Sequence, residues 1–358
     1  MQYSLTVRVT SSLQAATGNI QTVAGNGGYG FSGDGGSANR AELLPTCIFL
    51  DGSGNLFICD DGGNQRVREV IAATGNIQTV VGNGTYGFSG DGGPATSAAL
   101  SNPSSVFVDG SGNIFIADRD NNRIREVVAA TGDIQTVAGN GNARFTFSGD
   151  GGPAISGALY LPEDVYVDSS GNIFIADTGN NRVREVVAAT GNIETVAGNG
   201  SYGSSSGDGG LATSAQLNDP WSVFVDGSGN IFIADRDNNR IREVVAATGN
   251  IQTVAGNGTM GFSGDGGPAT SAALRDPFAV FVDGSGDIFI AEPLEIFKPS
   301  QEWEAAIATS VLPLVPLSGT AARRPTLTSP QPECTWMVPE TSLSPITVTA
   351  PVSAESGK

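Results

Sequence analysis

The sequence predicts an all-β protein, a β-propeller built from four-stranded antiparallel blades. The first observation is the stretch V-F-V-D-G-S-G-N-I-F-I-A-D, from Val106 to Asp118, which reads as two strands and a tight turn because Gly and Asn accept the backbone of a sharp reversal. The second is that close copies of this hairpin recur, at Ile48 to Asp60, Val165 to Asp177, Val223 to Asp235 and Val280 to Glu292. The third is that two more strand-like segments follow the first four copies. Four strands repeated along a chain are typical of a propeller.

Each repeat continues beyond the hairpin in a fixed order. In the second repeat, Asn121 to Ala130 is predicted to contain a third strand and Ile134 to Ala138 a fourth. A Gly-rich loop ending in F-S-G-D-G-G-P-A follows, and Ala-rich segments such as Ser97 to Leu100 are expected to form one helical turn. The hairpin Asp recurs every 57 to 59 residues, which exceeds the roughly 40–45 residues of a compact blade. The consecutive apolar residues of V-F-V and I-F-I predict strands that are buried on both faces.

The repeat resembles the NHL-repeat family of β-propellers. The matching pattern is G-N-I-F-I-A-D-x-x-N-N-R-I-R-E-V, at 112–127 and 229–244, and the resemblance covers roughly residues 16 to 292. The long F-S-G-D-G-G-P-A-T insertion is similar to that of bacterial NHL-repeat proteins. The resemblance implies the fold, whereas for function it leaves protein-binding, sensor and RNA-binding domains and a few lyase- or hydrolase-like enzymes open.

The pattern divides the chain into three parts. Residues 16–292 form the predicted propeller, with irregular segments at 1–15 and 293–358. Four blades are complete, from about 44 to 258. A lone fourth strand at 19–24 and a lone hairpin at 280–291 are expected to pair as a split, defective fifth blade. The alternative is an open arc whose two edges favour aggregation.

Both terminal parts also suggest a shifted reading frame. Synonymous codons for Glu333 to Ile346, read one frame over, permit G-V-Y-V-D-G-S-G-N-I-F-I-A-D, and Met1 to Gln14 permit a similar hairpin. We therefore predict that both ends are frameshifted blades, with a disordered 293–358 segment as the alternative. A Val338 codon ending in a base other than T would contradict the prediction.

Composition narrows the function classes. The chain has 18 basic and 36 acidic residues, and a net charge of −18 argues against nucleic-acid binding because a phosphate backbone would be repelled. It contains no histidine, the commonest general base and metal ligand. We expect no membrane span and find no signal-peptide pattern in these residues. The localisation is left open, with secretion or the cell surface as the expectation for a longer parent protein.

Three recurring motifs are interpreted as structural. G-x-G-x-x-G, as at Gly82 to Gly87, lacks the βαβ unit of a dinucleotide site and is predicted to be a turn. D-R-D-N-N at Asp118 to Asn122 begins like a calcium loop but has Arg123 and Ala129 where that loop needs Gly and Glu. We expect these Asp side chains to bond to backbone amides or to Arg123 and Arg125. S-G-D-G-G is predicted to be an internally bonded loop. We expect no cofactor and no metal site, with weak surface calcium as the alternative.

Two cysteines fall opposite each other in the first hairpin. Cys47 and Cys59 are equidistant from Ser53. We expect two small buried apolar residues, with a disulfide as the alternative if the strand geometry suits it.

The best candidates for a binding site are the residues at which the copies differ. Each directly follows the Pro that precedes a first strand, and they are Thr46, Ser104, Glu163, Trp221 and Phe278. We expect them to be exposed on one face, where aromatic residues anchor partners, and the alternative is neutral variation at a loop edge. The second set of candidates, at the mouth of the channel, is Asp118, Asp177 and Asp235.

The sequence therefore predicts a non-enzymatic scaffold that binds a protein or a carbohydrate on one propeller face. No catalytic residue is predicted, because no His is present to activate a Ser and no carboxylate pair stands out from the repeats. Two alternatives remain, a lactonase- or lyase-like metal-dependent enzyme and a non-functional fragment of a longer propeller gene.

Overall fold

The computed structural model describes residues 8–11, 22–142, 147–203, 205–293 and 346–349. Two short strands from the terminal parts, β1 (Arg8–Ser11) and β22 (Ile346–Thr349), pair antiparallel. The strands between them form four complete blades and one hairpin. Blade 1 contains β2 (Pro45–Leu50), β3 (Leu56–Asp60), β4 (Arg66–Val70) and β5 (Ile77–Val81). Blade 2 contains β7 (Pro103–Val108), β8 (Ile114–Asp118), β9 (Arg123–Val127) and β10 (Asp133–Ala138), with the two-residue β6 (Gly93–Pro94) added beside β10.

The remaining strands repeat this plan. Blade 3 contains β12 (Asp164–Val167), β13 (Ile173–Asp177), β14 (Arg182–Val187) and β15 (Asn192–Ala197), with β11 (Gly152–Pro153) beside β15. Blade 4 contains β16 (Pro220–Val225), β17 (Ile231–Asp235), β18 (Arg240–Val245) and β19 (Asn250–Ala255). The last hairpin contains β20 (Ala279–Val282) and β21 (Ile288–Ala291). The all-β propeller with four complete four-stranded blades is thus confirmed.

The other half of the predicted fifth blade lies partly outside the described residues, because residues 19–21 are not among them. Its pairing with the β20–β21 hairpin therefore stays a prediction. The frameshift prediction concerns the two terminal segments, most of whose residues lie outside the described part of the chain. It therefore also stays a prediction.

The predicted helical turn is present but lies earlier than expected. It is a 3-10 turn at Ala95–Ser97, and Ala98, which follows it, is already extended. Equivalent turns precede the first strand of the other repeats, at Ala38–Arg40, Ala154–Ser156, Ala212–Ser214 and Ala269–Ser271. Further 3-10 turns connect the second and third strands of blades 2 to 4, at Arg119–Asn121, Thr178–Asn180 and Arg236–Asn238.

The D-G-S-G-N turn is closed by its own polar side chains. In blade 2, the Asp109 carboxylate accepts hydrogen bonds from the backbone N–H groups of Ser111 and Asn113, both at 2.8 Å. The Asn113 side-chain oxygen accepts a bond from the backbone N–H of Ala129 at 2.9 Å, which links this turn to the next one. Gly112 has a φ of 85°, a conformation that glycine adopts without strain.

The core consists of apolar clusters between neighbouring blades. The second strands of the four complete blades are buried along their whole length. In the first strand of blade 2, Val106 and Val108 are buried against Phe57 and Cys59 of blade 1. Phe107, between the two valines, is only half-buried because it lines a central cavity. The expectation of burial on both faces therefore holds for I-F-I and only partly for V-F-V.

Among the described residues, no helix has the length and apolar character needed to cross a bilayer.

Candidate functional site

The candidate site is a central cavity of about 380 Å³. It is lined by the first strands of all four blades and of the last hairpin, which are β2, β7, β12, β16 and β20. The volume falls within the roughly 300–1,000 Å³ of small-molecule sites. Because the repeats place the same strand innermost each time, residues far apart in sequence converge on this one space.

One part of the cavity wall is an arc of aromatic rings. Each first strand contributes the central residue of its V-F-V or equivalent segment, and neighbouring ring centroids lie 4.9 to 5.1 Å apart. The residues in order are Phe49, Phe107, Tyr166, Phe224 and Phe281. Rings at these distances and inclined to each other attract, and their remaining exposed surface gives the cavity an apolar wall.

The variable residues lie within one residue of the start of the same strands. Ser104, Glu163, Trp221 and Phe278 line the cavity, whereas at the first repeat it is Cys47, next to Thr46, that does so. The expectation that these side chains are exposed was wrong, since Glu163 and Phe278 are buried and the other three are half-buried. The cause is the narrow centre of the ring, where each first strand packs against the next.

Polar contacts from these residues connect neighbouring repeats. The Thr46 hydroxyl donates to the Pro103 carbonyl at 3.3 Å and the Ser104 hydroxyl to the Pro162 carbonyl at 3.1 Å. The Arg119 side chain of blade 2 forms an ion pair with Glu163 of blade 3. Burial raises the pKa of Glu163 to about 7, although Arg119 acts in the opposite direction.

Trp221 is held by a stacked cation. The Arg236 guanidinium carbon lies 4.4 Å from the centroid of the Trp221 ring, within the range of a cation–π contact. Arg236 is itself fixed by Asp219, with 2.7 Å between Nη1 and Oδ2. The ring therefore has a set orientation at the cavity mouth, which reduces the entropy that a bound partner would have to remove.

Asp164 is a cavity residue that the sequence comparison missed. Its Oδ1 accepts hydrogen bonds from the Ser105 hydroxyl at 2.6 Å and the Val165 N–H at 2.9 Å. Its Oδ2 accepts one from the Val223 N–H at 3.0 Å. Burial raises the pKa of Asp164, and these hydrogen bonds oppose the rise. The residue type at this position also differs between repeats. The comparison of repeats that identified Glu163 would therefore have identified Asp164 if it had included the next residue.

The second set of candidate residues lies inside the blades. Asp118, Asp177 and Asp235 have no exposed side-chain surface, and each forms an ion pair at 3.2 Å with an arginine of the next strand. None of the three lines the cavity. Burial raises the pKa of Asp118 to about 6, with Asn121, Ser101 and Arg125 acting against it. We therefore assign these carboxylates to the blade interior and not to ligand binding.

The first aspartate of the D-R-D-N-N turn, Asp118, forms its contacts inside the blade. Asp118 Oδ1 accepts from the Ser101 N–H at 2.7 Å and Oδ2 binds Arg125, as expected. Arg123 instead donates to the backbone carbonyls of Asn121 and Asn140, so the expected bonds that form are those to the backbone amide and to Arg125. Among the described residues, no three His, Cys, Asp or Glu side chains are grouped as metal ligands. The expectation of no cofactor, with weak surface calcium as the alternative, stays a prediction.

The G-x-G-x-x-G motif acts as a close-packed turn. Gly82 has a φ of 93°, and a Cβ placed on it would lie 2.4 Å from the Gln65 carbonyl oxygen. A loop that must pass this close to the third strand requires glycine. The motif is followed by loop residues and not by a helix, so the dinucleotide interpretation finds no support.

Cys47 and Cys59 form a disulfide, which corrects the expectation of two reduced residues. They are directly opposite in the β2–β3 register, and their Cα atoms lie 5.0 Å apart, within the range that a disulfide spans. Blade 2 places Ser105 and Ala117 at this position.

With the geometry established, comparison with known proteins identifies the repeats. The family model described as "NHL repeat" matches residues 159–185 and 217–243. The chain is similar to the chloroplastic Protein SUPPRESSOR OF QUENCHING 1 of Arabidopsis thaliana, with 26% identity over 76% of this chain and 26% of that protein. It is similar to NHL repeat-containing protein 2 of Bos taurus, with 26% identity over 36% of this chain and 18% of that protein.

A solved structure with a similar fold is virginiamycin B lyase from Staphylococcus aureus. The TM-score is 0.42 and the identity 13%, over 69% of this chain and 63% of that one. The chain spans only about a quarter of the length of the plant relative. Residues 159–185 and 217–243 are thus NHL repeats, and they lie within an all-β propeller of four complete blades.

Proposed function

We propose that the protein is a non-enzymatic binding scaffold whose site is the mouth of the central cavity. One observation carries this proposal: residues that differ between otherwise near-identical repeats converge there, at Ser104, Glu163, Trp221 and Phe278. The residues that are identical between repeats maintain the fold, whereas the residues that differ at a concave, partly apolar site supply binding specificity.

The lining indicates the kind of group that would bind. The wall is mostly aromatic and aliphatic, and the acidic side chains in it are Glu163 and Asp164. An apolar group that carries a hydrogen-bond donor or a positive charge fits this combination, because the rings attract cations on their faces. A lysine, arginine or aromatic side chain of a protein partner has this chemistry, and the net charge of −18 would attract a basic partner over a distance. A carbohydrate stacked on Trp221 is the alternative ligand.

The test uses two aromatic substitutions. Trp221→Ala removes a side chain of the cavity mouth, whereas Tyr202→Ala removes an exposed aromatic side chain that does not line the cavity. Binding to a panel of basic peptides and oligosaccharides should weaken about tenfold or more for Trp221→Ala only, as expected for an aromatic anchor. If both variants bind as the unaltered protein does, the cavity mouth is not the site.

The enzymatic alternative has its own test. A metal-dependent propeller enzyme would retain a stoichiometric metal ion after purification. Metal analysis by mass spectrometry that found one tightly bound ion per chain would favour that alternative over the scaffold.

A further inference from the structure

Every complete blade contains the same arginine clamp, which we define as a buried third-strand arginine held by two aspartates. In blade 2, Arg125 Nη1 lies 3.2 Å from Asp118, at the end of β8, and Nη2 lies 2.6 Å from Asp91, in the Gly-rich loop. Phe88 of that loop lies under the guanidinium of Arg123, 3.7 Å from centroid to Cζ. The clamps of the other blades are formed by Arg68, Arg184 and Arg242.

Within the described residues, the last repeat has the two acidic groups of a clamp without its arginine. Glu292 takes the place of the β8 aspartate, since its carboxylate accepts from the Arg275 N–H at 2.6 Å, as Asp118 does from the Ser101 N–H at 2.7 Å. Asp265 and Phe262 take the places of the loop residues Asp91 and Phe88. The exposed fraction of Phe262 is 80%, whereas that of Phe88 is 42%, because no guanidinium covers the Phe262 ring in the described part of the chain.

In the Gly-rich loop of the last repeat, a backbone hydrogen bond found in the complete blades is also missing among the described residues. In blade 2, the Gly92 N–H donates to Ile134 of the fourth strand at 2.8 Å. The equivalent N–H of Gly266 has no such partner among the described residues. β21 pairs only with β20 in this part of the chain, and its residues are half-buried where those of β8 are buried. An unpaired strand edge accepts a further strand.

We propose that the outer edge of β21, together with Asp265, Glu292 and Phe262, is a docking site for an extended strand of a partner protein. We call it the β21 docking site. The strand would carry two arginines at alternate positions, in the pattern R-x-R-E-V. Alternate residues of a strand share one face, so one arginine would reach the two carboxylates and the other would cover the Phe262 ring.

The sequence indicates that the strand comes from a partner. The chain has R-x-R pairs at Arg66, Arg123, Arg182 and Arg240, and all of them lie inside complete blades. A second copy would have to open a blade to supply one. In residues 294–358 the arginines are Arg323 and Arg324, which are adjacent and would point to opposite faces of a strand.

A peptide from this chain provides the probe. The segment 121–138 contains the third and fourth strands of blade 2, with two arginines and two acidic residues, so that its net charge does not by itself attract it to an acidic protein. We expect this labelled peptide to bind the full chain saturably, with one peptide per chain, in fluorescence anisotropy. Replacement of both peptide arginines by lysine should weaken binding about tenfold or more, because lysine keeps the charge but cannot form the planar fork.

Two protein variants localise the binding. Asp265→Asn should weaken peptide binding about tenfold or more, whereas Asp208→Asn, the same position in the occupied clamp of blade 4, should leave it unchanged. Phe262→Ala provides a second test at an exposed side chain, for the case that Asp265→Asn does not fold. The absence of saturable binding, equal binding of the lysine peptide, or dimers of the full chain that Phe262→Ala dissociates would each overturn the proposal.

Discussion

Asp118 and Arg125 form an ion pair inside blade 2, with 3.2 Å between Oδ2 and Nη1 and no exposed surface on either side chain. The same kind of ion pair recurs in every complete blade. In blade 2, Arg125 also binds the loop aspartate Asp91, which lies 34 residues before it in the chain. Because a charge inside a protein is stable only when it is paired and hydrogen-bonded, this contact determines how the Gly-rich loop packs onto the blade that follows it.

Removal of the arginine from one clamp should destabilise the protein strongly. Arg125→Leu would leave Asp118 buried without its cation, and we expect a loss of about 3–5 kcal/mol in the free energy of unfolding. Urea unfolding followed by circular dichroism measures it. Addition of Asp118→Asn to Arg125→Leu should recover part of the loss, because the uncompensated charge is then absent. A double variant as unstable as the sum of the two single variants would contradict the coupling.

The disulfide predicts a thiol count and a stability change. Among the three cysteines of the chain, Cys334 alone should react with a thiol reagent in the denatured, unreduced protein. The double variant Cys47→Ser/Cys59→Ala carries the residue pair that blade 2 uses at this position. It should lose about 2–3 kcal/mol relative to the oxidised protein and become insensitive to reductant. Three reactive thiols in the unreduced protein would show that the bond does not form.

Asp61 predicts a pH dependence of stability. Burial raises the pKa of Asp61 from 3.8 to about 6, and a hydrogen bond from Gln65 opposes the rise. Between these values the folded protein binds more protons at Asp61 than the unfolded chain does. The contribution of Asp61 to stability is therefore fully present below about pH 4 and is lost as the pH rises to about 6.

The variant Asp61→Asn tests this contribution because it cannot ionise. The decline in melting temperature between about pH 4 and 7 should be smaller than in the unaltered protein, by an amount equivalent to at most about 2 kcal/mol. The pKa values of Asp118 and Asp235 are also raised to about 6. These two groups should therefore still lower the melting temperature of the variant as the pH rises over this range. Identical pH profiles for the two proteins would show that Asp61 ionises normally.

Blade 4 offers a stabilising substitution. Phe31, Phe88 and Phe147 stack under third-strand arginines, whereas Ser205 occupies this position beside Arg240 and Arg242. We expect Ser205→Phe to add about 0.5–1 kcal/mol through the cation–π contact, measured by thermal unfolding. Ser201→Phe, in an exposed part of the same loop, is the control and should not stabilise the protein.

The strands could be predicted because their signals are local. The D-G-S-G-N turn places its glycines and its Asp–Asn pair within five residues, and this chemistry is independent of the rest of the fold. The contact between Asp118 and Arg125 could also be predicted, since Arg125 lies on the adjacent strand, two residues after Arg123, the register partner of Asp118. By contrast, the spacing of Cys47 and Cys59 could not show whether they form a disulfide. The bond requires that the two residues face each other in the strand register and that their Cα atoms are close enough.

The sequence by itself determined the repeat, the blade topology and the positions at which the copies differ, since turn chemistry and apolar alternation act between residues close in the chain. Only the tertiary structure decided what those positions do. Ser104 and Trp221 are more than a hundred residues apart, and they share one cavity because the blades pack around a common centre. The same packing buries Asp118, Asp177 and Asp235 within the blades and leaves Asp265 and Phe262 of the last repeat without an arginine in the described chain. Burial and convergence depend on the whole ring, and no single repeat contains that information.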